Sequence, residues 1–410
     1  MIKLFFPIAS IVLMLLLATT LKVENHELPS YIPKNQNDTL EYINSSVKTP
    51  QIAKYFKNLC TKNKFNGNIL VAEKGQILYE FGSGFSDHDK KDSLKIESRF
   101  QIASISKQFT AVSVMILYDR KLLDFDDLVT NYYPDFPYKK VTIRMLLCHR
   151  SGVPNYEGLG IHPYSNGFTL NNQKMMELYA LQKIRPNFPA NQRFKYSNSG
   201  YAVLAAIVEK VSGVGFTNFV QTNIFDPLNM KDSYFLNWSD TTTRKNVTIG
   251  YLTGWTPAIP TYLDGVMGDK GIYSTLHDLL KWDQGLYTDN IVKQSTLELA
   301  FKGENPGMYG NRNYGFGWRT RILQDGTKMA YHGGWWRGYR ALFARILPNQ
   351  GTIIILGNQH NGSFANNYNL ILDILNPKFM HGGKSKQENE SEDDLLGSPE
   401  ANLTSKDSIR

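Results

Sequence analysis

Cysteine is scarce in this sequence, with only Cys60 and Cys148 among 410 residues. Two cysteines form at most one disulfide, and nothing in the sequence shows that they pair, so a disulfide-rich scaffold is excluded. No Cys-x-x-Cys, His-Glu-x-x-His or EF-hand pattern occurs, and the eight histidines are scattered singly. The sequence therefore indicates no metal site and no cofactor.

Clustered charge is also lacking. The net charge is +8, yet the lysines and arginines are spread along the chain without a basic cluster or arm. Nucleic acid is therefore not an expected partner. There is no Gly-x-Ser-x-Gly motif, which argues against an α/β-hydrolase. Hydrophobic residues make up 42% of the chain, which is enough to bury a sizeable core.

The N-terminus has the layout of a signal peptide. Residues 1–22 carry one positive charge near the start, at Lys3, followed by an apolar run to Leu17 and then the small residues Ala18, Thr19 and Thr20. We expect a cleaved signal peptide or an uncleaved membrane anchor, and hence an exported protein in the periplasm or outside the cell. Residues 23–50 are polar and are predicted to be a linker. Residues 381–410 are charged and lack aromatics, which predicts a disordered tail.

The segment between these ends, residues 51–380, is predicted to be one α+β domain. Short β-type runs predict a hairpin within residues 65–83 and further strands within 318–357, and these strands are expected to join in one antiparallel sheet. The section of about 104–290 has helical periodicity and is predicted to form a separate helical lobe, with helices after Thr142 and Asn198. A last helix is predicted over residues 366–375. A site between the lobes is expected.

The segment Phe100–Leu117 carries the first chemical signal. Ser104 and Lys107 lie three positions apart, on one face of a predicted helix. A serine hydroxyl is a weak nucleophile that needs a neighbouring base, and a lysine can be that base when its neutral form is favoured. The residues after Lys107 are apolar nearly all round, which predicts a buried helix with the polar pair in its first turn.

Two further motifs follow in chain order: Tyr196-Ser197-Asn198 and His332-Gly333-Gly334. With Ser104-x-x-Lys107, the set resembles that of the serine β-lactamase and penicillin-binding protein family. The resemblance is to its class C-like branch, which includes D-alanyl-D-alanine carboxypeptidases, D-aminopeptidases and esterases. It covers roughly residues 55–375 and is supported by the stretches Leu146–Val153, Gly271–Thr275 and Tyr314–Trp318.

The resemblance implies a β-lactamase/transpeptidase-like fold and an acyl-serine mechanism. Ser104 would attack a carbonyl carbon, and either Lys107 or Tyr196 would accept its proton. Asn198 would hydrogen-bond Lys107 or a substrate amide. The sequence leaves the choice of base open.

The resemblance implies that the third motif binds the substrate. His332, Gly333 and Gly334 would line the binding site, since a substrate that lies close to the backbone favours glycine there. The backbone N–H of Trp335 would form an oxyanion hole with that of Ser104. Many family members have Lys-Thr-Gly here, where the lysine attracts a substrate carboxylate. Histidine is only partly cationic near neutral pH, which argues against efficient cleavage of β-lactams.

The predicted function is that of an exported serine hydrolase acting on a small ester, an amide or a D-amino-acid peptide. A true β-lactamase and a cell-wall D-alanyl-D-alanine carboxypeptidase are alternatives within the same class. A non-catalytic binding protein with the same fold is an alternative of another class. A protein that has lost catalysis should also have lost Ser104, Lys107 or Tyr196, and this chain keeps all three. The expected partner is a small-molecule or peptide substrate, cell-wall fragments included, and the oligomeric state is left open.

Overall fold

The computed structural model describes residues 40–43, 50, 53–54, 57, 65–159, 169–236, 247–306, 308, 311–323 and 325–360. All of them belong to one compact unit that covers residues 39–410. The predictions for residues 1–22, 366–375 and 381–410 lie outside the described residues. Cys60 does too, whereas Cys148 is a buried free thiol.

An eight-stranded antiparallel sheet forms one layer of the unit, in the spatial order β1-β3-β2-β13-β12-β11-β10-β9. The pairing of β2 with β13 joins the early and late strands, as predicted. The strand bounds are Leu40–Ile43 (β1), Gly67–Glu73 (β2), Gln76–Ser83 (β3), Arg312–Tyr314 (β9), Arg319–Ile322 (β10), Lys328–Trp336 (β11), Tyr339–Ile346 (β12) and Gly351–Gly357 (β13).

The strand β1 corrects one prediction. It pairs with β3 over its whole length, so part of the predicted linker 23–50 belongs to the sheet. Its segment Leu40–Ile43 has only four residues, which is too short to stand out from the polar sequence around it.

Helices cover the sheet, and two small sheets connect them. The helices are Ser106–Asp119 (α1), Ile143–Leu147 (α2), Asn172–Gln182 (α3), Asn198–Ser212 (α4), Phe216–Val220 (α5), Leu276–Gly285 (α6) and Gln294–Lys302 (α7). The short strands are Phe85–Asp87 (β4), Asp92–Ser93 (β5), Phe100–Gln101 (β6), Tyr234–Phe235 (β7) and Ile272–Ser274 (β8). Of these, β4 pairs with β5, and β6 and β7 flank β8.

The central helix is α1, whose residues from Ser106 to Leu117 are all buried. The ring of Phe109 stacks on that of Trp282 in α6 at 4.2 Å. The same apolar cluster extends from α1 to Leu70 of the sheet and to Leu204 of α4. The helical section and the sheet therefore share one buried core.

Local capping explains where the helices begin and end. The Thr142 hydroxyl accepts a bond from the backbone N–H of Met145 at 3.3 Å, which confirms the predicted cap of α2. Helix α4 begins after Ser197 and ends at Gly213, whose φ of +73° is the left-handed conformation that glycine favours. Among the described helices, none by itself has the length and apolar character of a membrane span; α4 and residues 216–225 have them together, with a bend of 79°.

Candidate active site

Ser104 lies in a tight turn at the N-terminal end of α1. The turn is a 3-10 helix, Ala103–Ile105, so the predicted α-helix begins only after the serine. Ala103 has a φ of +47°, a conformation that costs energy for a residue with a Cβ atom. Ile102 donates its N–H to Ile272 of β8 at 2.9 Å. The serine is thereby held half-buried at the positive end of a buried helix.

Lys107 extends from the first turn of α1 and is fully buried. Its Nζ atom lies 3.0 Å from Ser104 Oγ, 2.9 Å from Asn198 Oδ1 and 2.8 Å from the backbone oxygen of Asp269. The predicted serine–lysine contact is therefore present in the structure. Because two of the three partners come from distant segments, the fold holds the amine in one position.

The types of atom around Lys107 Nζ fix its orientation. The carbonyl oxygens of Asn198 and Asp269 only accept hydrogen bonds, so each takes one lysine hydrogen. The third position around Nζ faces Ser104 Oγ, so an amine that has given up one proton directs its lone pair at that hydroxyl. This is the geometry that a general base needs for taking the serine proton.

Asn198 is the first residue of α4, not its cap. Its side-chain amide donates to Glu157 at 3.3 Å, while its oxygen accepts from Lys107. Glu157 also accepts from Asn155 at 3.1 Å. The carboxylate therefore fixes which way the Asn198 amide faces. Sequence analysis missed Glu157, because a single acid in a loop has no pattern that connects it to a helix start.

Tyr196 packs against the lysine. Its ring centre lies 5.0 Å from Lys107 Nζ, and its hydroxyl oxygen is buried without a hydrogen-bond partner. The ring of His149 packs on Tyr196 at 4.3 Å, and its Nδ1 atom accepts from the backbone N–H of Ser197. Burial and the charge of Lys107 hold the pKa of His149 well below its usual range, so this imidazole is a neutral support for the tyrosine.

His332 is fully buried and neutral. Its Nδ1 atom lies 2.6 Å from the Gly333 carbonyl oxygen, which only accepts, so Nδ1 carries the proton. Its Nε2 atom then accepts from the Tyr314 hydroxyl at 3.0 Å. Burial and the positive charges of Arg319 and Lys107 hold its pKa well below the usual range. Both ring nitrogens are occupied inside the protein, so the structure does not place His332 in direct contact with a substrate.

The edge of β11 lies beside the serine turn. A Cβ atom on Gly334 would lie 2.3 Å from the Ile102 oxygen and 3.2 Å from the Ala103 Cβ atom. Only glycine permits this approach, and the approach brings β11 next to Ser104.

The register of β11 gives the direction of the Trp335 N–H. Trp336 and Tyr339 close a two-residue turn in which Arg337 and Gly338 both have positive φ, so these two residues form a hydrogen-bonded pair. The next pair, Trp335 with Arg340, is then non-hydrogen-bonded, and the Trp335 N–H faces away from β12. In the described chain, β10 pairs only with residues 328–331 of β11, so this N–H faces an open edge. The orientation is the one an oxyanion-hole donor needs.

A second buried lysine, Lys270, shares the partner Asp269 with Lys107. Lys270 Nζ lies 2.7 Å from the Tyr156 hydroxyl and 3.4 Å from Asp269 Oδ1, and it packs on the Trp336 ring at 4.8 Å. Asp269 therefore binds Lys107 through its backbone and Lys270 through its carboxylate. The sequence signal for this segment was its position before Gly271–Thr275, but no local pattern showed that it reaches Lys107.

The fold and the site define a serine hydrolase with a serine, a lysine and a tyrosine at its centre. Residues 52–376 match the family model described as Beta-lactamase. The chain is 33% identical to penicillin-binding protein 4* of Bacillus subtilis (strain 168), over 76% of this chain and 72% of that protein. It is 24% identical to a D-aminopeptidase of Cereibacter sphaeroides, over 77% of this chain and 60% of that protein.

Solved structures give the same fold. A penicillin-binding protein from Bacillus halodurans superposes with a TM-score of 0.68 at 24% identity, covering 78% of this chain and 99% of that chain. D-amino acid amidase from Ochrobactrum anthropi SV3 also has a TM-score of 0.68, at 20% identity, covering 81% and 99%. The chain belongs to the β-lactamase family and is a β-lactamase-like serine hydrolase, which confirms the predicted family, fold class and enzyme class.

Proposed function

We propose that this protein hydrolyses a small ester, an amide or a D-amino-acid peptide through an acyl intermediate on Ser104. The observation that carries the proposal is the set of three oxygens around Lys107 Nζ, because it directs the lone pair of the neutral amine at the serine hydroxyl. D-aminopeptidases among the relatives support an amide or peptide substrate.

The steps follow from this geometry. Lys107 takes the Ser104 proton as Oγ bonds to the carbonyl carbon, and the developing oxyanion lies between the N–H groups of Ser104 and Trp335. The amine or alcohol leaves with a proton supplied from Lys107 or Tyr196. A water molecule then gives a proton to the base and bonds to the acyl carbon. The bond between that carbon and Ser104 Oγ breaks, Oγ takes the proton back from the base, and the carboxylic acid leaves.

The test is covalent labelling of the serine. Wild-type protein treated with a fluorophosphonate should gain one adduct by intact mass, and a peptide map should place it on Ser104. Ser104→Ala should gain none and should lose hydrolysis of p-nitrophenyl esters. Ser113→Ala is the matched control, because that hydroxyl lies further along the same helix and donates only to the Phe109 carbonyl oxygen.

The outcome separates the alternatives. A folded wild type without adduct and without turnover of esters, nitrocefin or D-alanyl peptides would leave the non-catalytic binding protein as the better hypothesis. Turnover of nitrocefin as fast as that of the esters would favour a true β-lactamase. Release of the terminal residue of D-alanyl-D-alanine peptides would favour a carboxypeptidase.

We also propose that the protein is exported. The support is the order of charges and apolar residues in 1–22, which is typical of a signal peptide. Expressing the full chain and sequencing the N-terminus of the product tests this. A new N-terminus shortly after residue 20 indicates cleavage, an intact one in the membrane fraction indicates an anchor, and an intact one in the cytosol would contradict export.

A further inference from the structure

Asp269 places an acid next to the proposed base. Its backbone oxygen accepts a hydrogen bond from Lys107 Nζ at 2.8 Å, so the carboxylate belongs to a residue that orients the amine. Both residues are buried, and salt and water screen buried charges little. A nearby carboxylate favours the ammonium form of a lysine, whereas a base must release its proton before it can act. The acid therefore opposes the function of Lys107 unless its charge is neutralised.

The Asp269 carboxylate is bound on both of its oxygens by partners other than Lys107. Lys270 Nζ lies 3.4 Å from Oδ1 and 3.5 Å from Oδ2, and the Tyr156 hydroxyl donates to Oδ2 at 2.9 Å. Burial and the carboxylate raise the pKa of Tyr156 well above its usual range, so the phenol keeps the proton that it donates. In the part of the chain that the structure describes, Lys107 forms an ion pair with no carboxylate.

Lys270 is held in place by neutral groups as well. Its Nζ atom donates to the Tyr156 hydroxyl oxygen at 2.7 Å and to the Val266 carbonyl oxygen at 3.3 Å, and it lies 4.8 Å from the ring centre of Trp336. The Lys270 side chain is only 4% exposed. Removing two charges from water costs free energy that apolar residues would not cost, so stability alone does not explain a buried pair at this place.

We propose that Lys270 is a positioning residue that neutralises the buried charge of Asp269 and so lets Lys107 release its proton near neutral pH. Lys270 acts through Asp269 and not on the substrate. The inference rests on the proposed acyl-serine hydrolysis and adds to it a residue that controls its pH dependence.

The other ionisable groups around the two lysines are the same in every variant described below. Around Lys107 they are Tyr196, Tyr201, the neutral His149 and His332, and Arg319, whose charge acts on both histidines. Around Lys270 they are Tyr156, Glu157, whose charge acts on Tyr156, and Asp264, which accepts from the Trp336 indole N–H. A difference in pH dependence between the variants therefore reports on the Lys270–Asp269 pair.

The experiment measures the rate constant for labelling of Ser104 by a fluorophosphonate as a function of pH. Lys270→Met removes the charge and keeps the length of the side chain. The pH at half-maximal rate should rise by about 1–2 pH units, because the carboxylate then favours the ammonium form of Lys107, while the maximal rate should stay near that of wild type. Lys270→Arg should keep the half-maximal pH near that of wild type. The double variant Asp269→Asn with Lys270→Met should do so too, since neither charge is left.

Lys281→Met is the matched control. Lys281 pairs in the same way with a buried carboxylate, that of Asp278 at 2.7 Å, and its other partner is the Asn229 carbonyl oxygen. Neither partner binds Lys107 or Ser104. This variant should therefore keep the half-maximal pH of wild type.

Each other outcome overturns the proposal. An unchanged half-maximal pH in Lys270→Met would mean that the Asp269 carboxylate does not act on Lys107, and a lower maximal rate alone would make Lys270 a structural residue. A shift that persists in the double variant would exclude the charge of Asp269 as its cause.

If Lys270→Met does not fold, Asp269→Asn alone decides. It removes the carboxylate and keeps the second ammonium group, so the half-maximal pH should fall, and an unchanged or higher value contradicts the proposal. A wild type that is not labelled at any pH contradicts the acyl-serine function itself.

Discussion

Replacing Gly334 with alanine tests whether the approach of β11 to the serine turn is needed for catalysis. The added Cβ atom would lie 2.3 Å from the Ile102 oxygen, whereas ordinary contacts begin at 3.4 Å. The Ile102 oxygen is a backbone atom, so the strand and the turn must separate by about 1 Å. Misplacement on that scale costs about 100-fold in rate, and overpacking costs about 1–3 kcal/mol of unfolding free energy.

The assay measures kcat for a p-nitrophenyl ester together with the urea midpoint. We expect Gly334→Ala to remain folded while kcat falls about 100-fold, because the Trp335 N–H moves away from the developing oxyanion. Gly158→Ala is the control, since its Cβ atom would meet nothing within 4 Å and its φ is not positive. Unchanged kcat in Gly334→Ala would refute the idea that this strand edge stabilises the transition state.

Three further predictions concern the lysine and the core. Asn198→Ala removes one of the oxygens that orient Lys107, so kcat should fall about 10- to 100-fold, and the unfolding free energy should fall by about 1–3 kcal/mol because a buried donor loses its acceptor; an unchanged kcat would show that Asp269 alone suffices. Asp283→Ala leaves Arg345 buried without the carboxylate that binds its Nε at 2.7 Å, so unfolding free energy should fall by about 3–5 kcal/mol in urea titrations. Burial disfavours charged His277, but its hydrogen bond with Glu80 outweighs this and raises the pKa above 6.5. The contribution of the His277–Glu80 pair to the unfolding free energy is then complete below pH 6.5 and is lost as the pH rises through the folded-state pKa. The difference in urea midpoint between wild type and His277→Asn should therefore shrink as the pH rises, and a constant difference would contradict this prediction.

Local sequence patterns were sufficient for the elements that lie on either side of the site. The hairpin β2–β3 has two short apolar runs of β-type residues and a two-residue turn with positive φ at Lys74 and Gly75, and both signals are short-range. The Ser104–Lys107 contact was also predictable, because three residues of helical chain bring the two side chains together whatever surrounds them.

The charges of the site were not predictable in this way. Whether His332 is cationic depends on burial and on the positive charges of Arg319 and Lys107, and the position of Arg319 is set by the register of β10 and β11. The sequence therefore predicts that His332 contacts the substrate, whereas the structure makes it an interior support. The position of Arg319 over Tyr196 is unpredictable for the same reason, since an arginine at a strand start has no local signal for it.

The hydrogen-bond partners of Lys107 show why a matching motif does not by itself make a catalyst. Ser104 is adjacent to Lys107 along the chain, but the oxygens that turn the lone pair toward it come from α4 and from the segment before β8. Helix α4 packs into the same buried cluster as α1, and the Thr110 hydroxyl of α1 donates to the backbone oxygen of Gly268 in the segment before β8. The orientation of the Lys107 amine is therefore a property of the packed core, and a core change that shifts α4 should lower activity even where Ser104 and Lys107 stay in contact.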